Sequence, residues 1–227
     1  MEEDGFSPTG RIIFAIQRKT VCVFLFSFLK NRPDTSFAKE SEVFGMKHNH
    51  TLKLTTMAIL AAISVALVYL VHFPIFPAVA FLEYDPADVA ILICGFAFGP
   101  IAGVAVTLIA SVVQGITVSA GSGLYGILMH IIATATYVLV SSLVYRHHKT
   151  KGGAALSLLL GTLAMTLVMI PANLFITPYF MGVPQAVVVE LLPFIIGFNA
   201  IKAGVNGIFT FLLYKSVSKL IHRFDRA

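Results

Sequence analysis

The amino-acid sequence predicts an all-α integral membrane protein, a bundle of six transmembrane helices with both termini in the cytoplasm. Of its 227 residues, 57% are hydrophobic and only 12% are charged. The mean hydropathy is +0.88, which is far too apolar for a soluble globular domain. The apolar residues fall into six runs after Leu52, and basic residues gather at the ends of those runs.

The six apolar runs cover residues 52–72, 87–98, 100–118, 123–145, 154–176 and 190–217. As a helix the second run is only ~18 Å long, short of the ~30 Å hydrocarbon core. Either its ends are misread, or it is packed inside the protein and continued by the loop before it. Gly99-Pro100 separates the second run from the third, as a tight hairpin within the membrane requires.

Three basic clusters set the predicted topology. They are Lys47 with Lys53; Arg146, Lys149 and Lys151; and Lys215, Lys219, Arg223 and Arg226. The positive-inside rule places all three in the cytoplasm, so the net charge of +5 reflects topology and no nucleic-acid partner is expected. Connections 73–86, 119–122 and 177–189 then lie outside, and with them the acidic residues Glu83, Asp85, Asp88 and Glu190.

The first 45 residues have a different character from the rest of the chain. They carry mixed charges and one apolar stretch, Thr20 to Leu29, which is too short to span a membrane. Met46 opens a short basic segment of the kind that commonly precedes a first membrane helix. We therefore expect residues 1–45 to be an N-terminal extension that is disordered or not native, and residues 46–227 to form the membrane-embedded domain.

Lys202 is the most informative residue because it lies inside the apolar run from Leu191 to Tyr214. A charge there costs several kcal/mol unless it is paired or faces a polar cavity. Asn199 and Asn206 lie three residues before and four after it, and on a helix these offsets share one face. We expect no carboxylate within the spans to pair with Lys202, which argues against a proton relay. The polar stripe therefore predicts a ligand site.

Other polar and small residues in the spans allow two readings. Ala58, Ala62 and Ala66 form a smooth ridge that suits packing within the chain and packing against a partner equally well. Asn173 follows Pro171, so it either faces a pocket or hydrogen-bonds the turn that the proline breaks. Packing explains His130 better than a proton relay, and Gln114 is similarly ambiguous.

Several enzyme classes are disfavoured. The sequence has no Walker-type loop, and it shows no intramembrane carboxylate pair or His/Cys cluster for a metal. Ala120-Gly121-Ser122-Gly123 approaches a serine nucleophile turn, but no histidine lies within the last run to act as its base. We therefore predict that the chain is not an enzyme and holds no cofactor.

Residues 46–222 resemble the substrate-binding S components of energy-coupling-factor (ECF) vitamin transporters, and most of all their riboflavin-specific branch. The alanine ridge and the stretch from Phe96 to Gly103 fit many S components. The outer stretch from Phe81 to Val89 adds to the likeness. Asn173 followed by Pro178-Tyr179, and Phe198-Asn199-Ala200-Ile201-Lys202, are more particular to the riboflavin branch.

The resemblance implies a bundle in the bacterial cell membrane whose outer half holds riboflavin, as transported substrate, beneath the loop joining the first two spans. It assigns Asn173, Asn199 and Lys202 to the polar edge of the flavin ring. We add Tyr179, Glu83, Tyr84 and Asp85 as candidate binding residues. The alanine ridge would meet a transmembrane T component, with two cytoplasmic ATPase subunits below.

Two alternatives stay open. The same fold could carry another vitamin or precursor, such as pyridoxine or hydroxymethylpyrimidine. The chain could instead be an autonomous secondary transporter, although its small size and the expected lack of an intramembrane carboxylate argue against this. No contact to the ribityl chain of riboflavin is evident in the stretch from Ser111 to Gln114.

Overall fold

The computed structural model describes the backbone of residues 48–213 and the side chains of residues 51–213. The predicted N-terminal extension, residues 1–45, lies outside the described residues, and so does the basic cluster that begins at Lys215. Both stay predictions.

The described chain is mostly helical, as predicted. Its helices are α1 (His48–Leu70), α2 (Ala87–Phe98), α3 (Pro100–Ile116), α4 (Gly123–His147), α5 (Lys151–Met181) and α6 (Gln185–Leu212). Within the described residues, α1, α4, α5 and α6 are long and apolar enough to cross a membrane, whereas α2 and α3 are shorter apolar helices. Each of the six predicted apolar runs corresponds to one of these helices.

The connection between α1 and α2, predicted to lie outside the spans, contains two short strands that the sequence analysis did not predict. Strands β1 (Phe73–Pro74) and β2 (Glu83–Tyr84) pair antiparallel, and a 3-10 turn (Pro77–Val79) lies between them. The pairing gives backbone N–H and C=O groups of this segment hydrogen-bond partners. Val79 is fully buried against Val188 and Ile195 of α6. We call residues 73–86 the outer loop.

Helix α2 is short because it is an interior element. Every residue from Ala87 to Phe96 is buried. Of the two explanations offered for the short second run, packing inside the protein is therefore the correct one, and the outer loop continues the run. A methyl group on Gly95 would overlap Ser142 and Val138 of α4, so glycine allows the two helices to approach closely. At the end of α2, Gly99 has a φ of 93° and turns the chain sharply into α3.

The connection between α5 and α6 is shorter than predicted. Sequence reasoning ended the fifth span at residue 176, but α5 continues to Met181 and includes Pro178. Membrane helices tolerate proline where neighbouring groups satisfy the freed backbone carbonyl. Gly182, with a φ of 63°, then ends the helix in the left-handed conformation, and α6 begins at Gln185.

The two ends of the bundle differ in charge. Lys53, Arg146 and Lys149 come together around a cavity beside the Gly99-Pro100 turn. Gly126, near the other end of α4, lines a second cavity with the outer loop. Gly126 and Arg146 are about 30 Å apart along the helix. Among the described residues, the fold therefore brings Lys53 of one predicted basic cluster and Arg146 and Lys149 of another to one end, and the outer loop to the other.

Candidate functional site

The lysine that the sequence singled out is paired with a carboxylate. Lys202 Nζ donates to Asp85 Oδ2 at 2.7 Å, and the two side chains are only 8% and 3% exposed. The other oxygen, Asp85 Oδ1, accepts the backbone N–H of Ala87 at 3.0 Å. The expectation that Lys202 lacks a carboxylate partner inside the bundle is therefore wrong. The outer loop folds inward and delivers Asp85, because an unpaired charge at this depth would be costly.

A second buried carboxylate lies beside this pair. Asn206 Nδ2 donates to the backbone oxygen of Asp85 at 3.0 Å and to Asp88 Oδ2 at 2.9 Å. Thr134 of α4 donates to Asp88 Oδ1 at 2.8 Å, and the hydroxyl of Tyr84 donates to Asn206 Oδ1 at 3.0 Å. These bonds connect the outer loop, α2, α4 and α6 into one network.

The acidic residues assigned to the outer side therefore divide into two groups. Glu83 and Glu190 are exposed, as a position at the outer surface implies. Asp85 and Asp88 are buried, at 2% and 0% exposed, and they serve as hydrogen-bond acceptors inside the bundle.

The charge state of the loop residues agrees with these hydrogen bonds. Burial alone raises the pKa of the Asp85 carboxyl, but the adjacent ammonium of Lys202 outweighs it and holds that pKa below its usual value. Burial, reinforced by the carboxylates of Asp85 and Asp88, raises the pKa of the Tyr84 hydroxyl. Asp85 is thus an ionised acceptor and Tyr84 a neutral donor.

A cavity of about 110 Å³ lies next to Lys202 at the outer-loop end of the bundle. Side chains from the outer loop, α3, α4, α5 and α6 surround it, among them Phe81, Leu82, Glu83, Asp85, Ser111, Gln114, Ile127, His130, Met165, Met169, Phe198, Asn199 and Lys202. Pockets for drug-sized ligands measure roughly 300–1,000 Å³. The cavity is therefore smaller than a pocket for such a ligand.

The structure gathers only some of the predicted binding residues at this cavity. Glu83, Asp85, Asn199 and Lys202 line it. Asn199 is anchored by donating its Nδ2 to the backbone oxygen of Ile195 at 2.8 Å. The predicted polar face of α6 is confirmed, since Asn199, Lys202 and Asn206 are all buried.

Three predicted binding residues are not part of the cavity wall. Tyr84 lies behind it and bonds Asn206. Asn173 is fully buried but bonds within its own helix, donating to the oxygen of Met169 at 2.8 Å and accepting from Thr177 at 3.0 Å. Tyr179 is 79% exposed, because α5 continues past the predicted loop and turns this side chain outward.

Two polar residues to which the sequence analysis assigned no binding role also line the cavity. They are Gln114 of α3 and His130 of α4, and His130 Nδ1 lies 2.7 Å from the hydroxyl oxygen of Ser111. The signal available in the sequence was a polar side chain near the outer end of an apolar run. That signal did not distinguish a residue facing a cavity from one that packs between helices.

The alanine ridge lies on the surface of the described chain. Ala58, Ala62 and Ala66 are all exposed along α1, whereas Ala61 beside them is buried. Among the described residues nothing covers the ridge, so packing within that part of the chain does not explain it.

Comparison with known proteins matches residues 52–214 to the family of ECF transporter substrate-specific components. The chain belongs to this family. The predicted resemblance to S components is therefore confirmed.

Relatives of this S component include named transporters. It is 34% identical over 156 residues to the riboflavin transporter FmnP of Bacillus subtilis (strain 168), an alignment covering 63% of this chain and 81% of the relative. It is 28% identical over 178 residues to the riboflavin transporter RibU of Staphylococcus aureus (strain TCH60), covering 75% and 93%. A solved S component of a bacterial ECF transporter superposes with a TM-score of 0.64 at 28% identity, covering 73% of this chain and 95% of that one.

These relatives are transporters and not enzymes, in agreement with the sequence prediction. Together with the apolar helices, they identify this S component as a multi-pass protein of the plasma membrane.

The buried ion pair predicts a distinctive pattern of stability. Asp85→Asn keeps the acceptor for Ala87 but leaves the Lys202 ammonium without its counter-charge, so we expect a loss of about 3–5 kcal/mol. Lys202→Met should also destabilise, and combining the two substitutions should recover part of the loss. Thermal unfolding of the detergent-solubilised protein measures this cycle. Glu83→Gln, which removes an exposed carboxylate two residues away, is the matched control, and strictly additive losses would contradict the pairing.

Proposed function

We propose that this S component binds riboflavin in the cavity beside Lys202 and imports it, with ATP hydrolysed by partner subunits. The observation that carries the proposal is a buried, charge-paired lysine at the wall of a cavity in the outer half of the bundle. The riboflavin transporters among its relatives support the choice of substrate.

The chemistry of the flavin ring suits this wall. The polar edge of an isoalloxazine offers carbonyl oxygens as acceptors and an imide N–H as donor, which call for a lysine or amide donor and an amide oxygen. Lys202 has three N–H donors, and Asp85 accepts from the ammonium at 2.7 Å. Lys202 can therefore donate to a carbonyl of the ring while its charge stays compensated.

Apolar side chains complete the proposed site. Phe81 and Leu82 of the outer loop, Ile127 of α4, Met165 of α5 and Phe198 of α6 line the same cavity and would bury the dimethylbenzene end of the ring. Since the cavity measures about 110 Å³, it must widen to admit riboflavin, and we propose that the outer loop makes this movement.

Two predicted binding residues of α5 differ in their relation to the proposed site. Met169, one turn before Asn173, lines the cavity, so Asn173 is close to the proposed site. It could reach the flavin by exchanging its bond to the Met169 oxygen for one to the ring. Tyr179, at 79% exposed, does not contribute to the site that we propose.

The proposed mode of transport requires partners. We propose six spans with both termini in the cytoplasm, a T component on the alanine ridge of α1, and two ATPase subunits. The cytoplasmic assignment is supported by Lys53, Arg146 and Lys149, which meet at the end of the bundle away from the outer loop. An external source of ATP hydrolysis is also required because the sequence has no Walker-type loop.

Substitution of Lys202 tests its role in binding the substrate. Methionine has a side chain of similar length but lacks the charged donor. We therefore expect Lys202→Met to weaken riboflavin binding by ~1.5–3 kcal/mol, roughly ten- to over a hundredfold. Quenching of riboflavin fluorescence by the purified protein measures the affinity. Lys53→Met, at the other end of the bundle, should bind normally. A folded Lys202→Met protein with unchanged affinity would contradict the assignment, and a wild-type protein that quenches no flavin fluorescence would refute riboflavin as the substrate.

Substitution on the alanine ridge tests the proposed contact with the T component. Ala62→Leu places a bulky side chain on the exposed ridge, so we expect riboflavin uptake by cells to fall several-fold while binding by the purified protein is unchanged. Ala155→Leu makes the same change at an exposed position of α5 and should leave uptake intact. Equal uptake by both variants would argue against the ridge as the contact with the T component.

Uptake must also be measured in cells that lack the ATPase subunits. The buried carboxylates Asp85 and Asp88 remove one argument against an autonomous secondary transporter, because a coupling ion could in principle use them. Uptake that persists without the ATPase subunits would favour that alternative, whereas its loss supports the coupled importer.

A further inference from the structure

Two buried polar atoms in the cavity wall have no hydrogen-bond partner among the described residues. They are Gln114 Oε1 and His130 Nε2, and both residues line the cavity beside Lys202. Gln114 is only 8% exposed. Buried polar atoms in proteins are nearly always hydrogen-bonded. The hydroxyl oxygens of Ser141 and Ser142 are also unpartnered but do not line this cavity, whereas Gln114 and His130 are where a ligand in it can supply the missing bonds.

The hydrogen bonds of Ser111 position His130. Ser111 Oγ lies 2.7 Å from the backbone oxygen of Thr107, to which it can donate, and 2.7 Å from His130 Nδ1. The tautomer of the ring sets which of the two donates in the second contact, and Nε2 takes the role opposite to that of Nδ1 in a neutral imidazole. The amide oxygen of Gln114 is an acceptor and requires a donor. A hydroxyl group can donate to Gln114 and can either donate to or accept from His130.

Gln114 and His130 belong to one compact wall made by α3 and α4. Ser111 and Gln114 are three residues apart and share a face of α3. A methyl group on Gly115 would overlap Ile127 of α4, so the two helices are in close contact here. The contact between Ser111 and His130 joins them.

In the function that we propose, the polar edge of the riboflavin ring, with its carbonyl acceptors and one imide N–H, bonds to α6. The wall made by α3 and α4 is then left for another part of the molecule. The ribityl chain carries several hydroxyl groups, each of which can donate. We propose that Gln114 and His130, the latter positioned by Ser111, form a hydroxyl-binding subsite that receives the polyol chain of the flavin. This inference rests on the proposed function and adds a second group of specificity-determining residues to it.

A comparison of two flavins tests the subsite. Lumiflavin has the same ring system as riboflavin but carries a methyl group in place of the ribityl chain. Fluorescence titration of the purified full-length protein should show that Gln114→Met and His130→Phe each weaken riboflavin binding about tenfold or more, the loss expected for a hydrogen bond to a buried polar group. Their lumiflavin affinity should stay within about twofold of wild type. Lys202→Met should instead weaken the binding of both flavins.

Unliganded stability gives an independent readout. Because Gln114 Oε1 is unpartnered without a ligand, Gln114→Met should leave the melting temperature of the unliganded protein unchanged or raise it, whereas a purely structural glutamine would lower it. The proposed subsite would be overturned by any of three results: an equal loss of affinity for both flavins, an unchanged affinity for riboflavin, or a lowered melting temperature of unliganded Gln114→Met. A wild-type protein that binds neither flavin would overturn the proposed function instead.

Discussion

A lysine can remain charged among apolar helices only if an opposite charge reaches it, and here that charge comes from the outer loop. Asp85 lies between β2 and α2, so its pairing with Lys202 at 2.7 Å draws the loop into the bundle. Helix α2 begins two residues later and is buried along most of its length. The inward path of the loop and the short interior helix are thus both compatible with one electrostatic requirement.

The same ammonium takes part in two features of the site. It holds the loop through Asp85, and it lines the cavity where we place the flavin. Asn206 reinforces the loop side by bonding Tyr84, Asp85 and Asp88. A substrate that donates to or accepts from groups around Lys202 therefore acts directly on the residues that fix the outer loop. In the site that we propose, substrate binding and the position of the outer loop are therefore coupled through the charge of Lys202.

The local parts of this arrangement could be predicted from the sequence. The shared face of Lys202 and Asn206 follows from helical spacing, and the apolar runs located the helices. The partner Asp85 could not be predicted, because it lies 117 residues away and no local pattern encodes such a contact. Pro178 was wrongly placed in a loop, because the tertiary contacts that allow α5 to continue through a proline cannot be seen in the local sequence. For His130, the sequence predicts how far along its helix the residue lies but not whether that face of the helix borders a cavity.

We propose that Lys202 both fixes the outer loop and binds the substrate. The decisive experiment is a crystal or cryo-EM structure of this protein with riboflavin. We expect the polar edge of the ring within about 3 Å of Lys202 Nζ, with Asp85 still bonded to the same ammonium. Riboflavin bound elsewhere, or bound in this cavity without contacting Lys202, would contradict it.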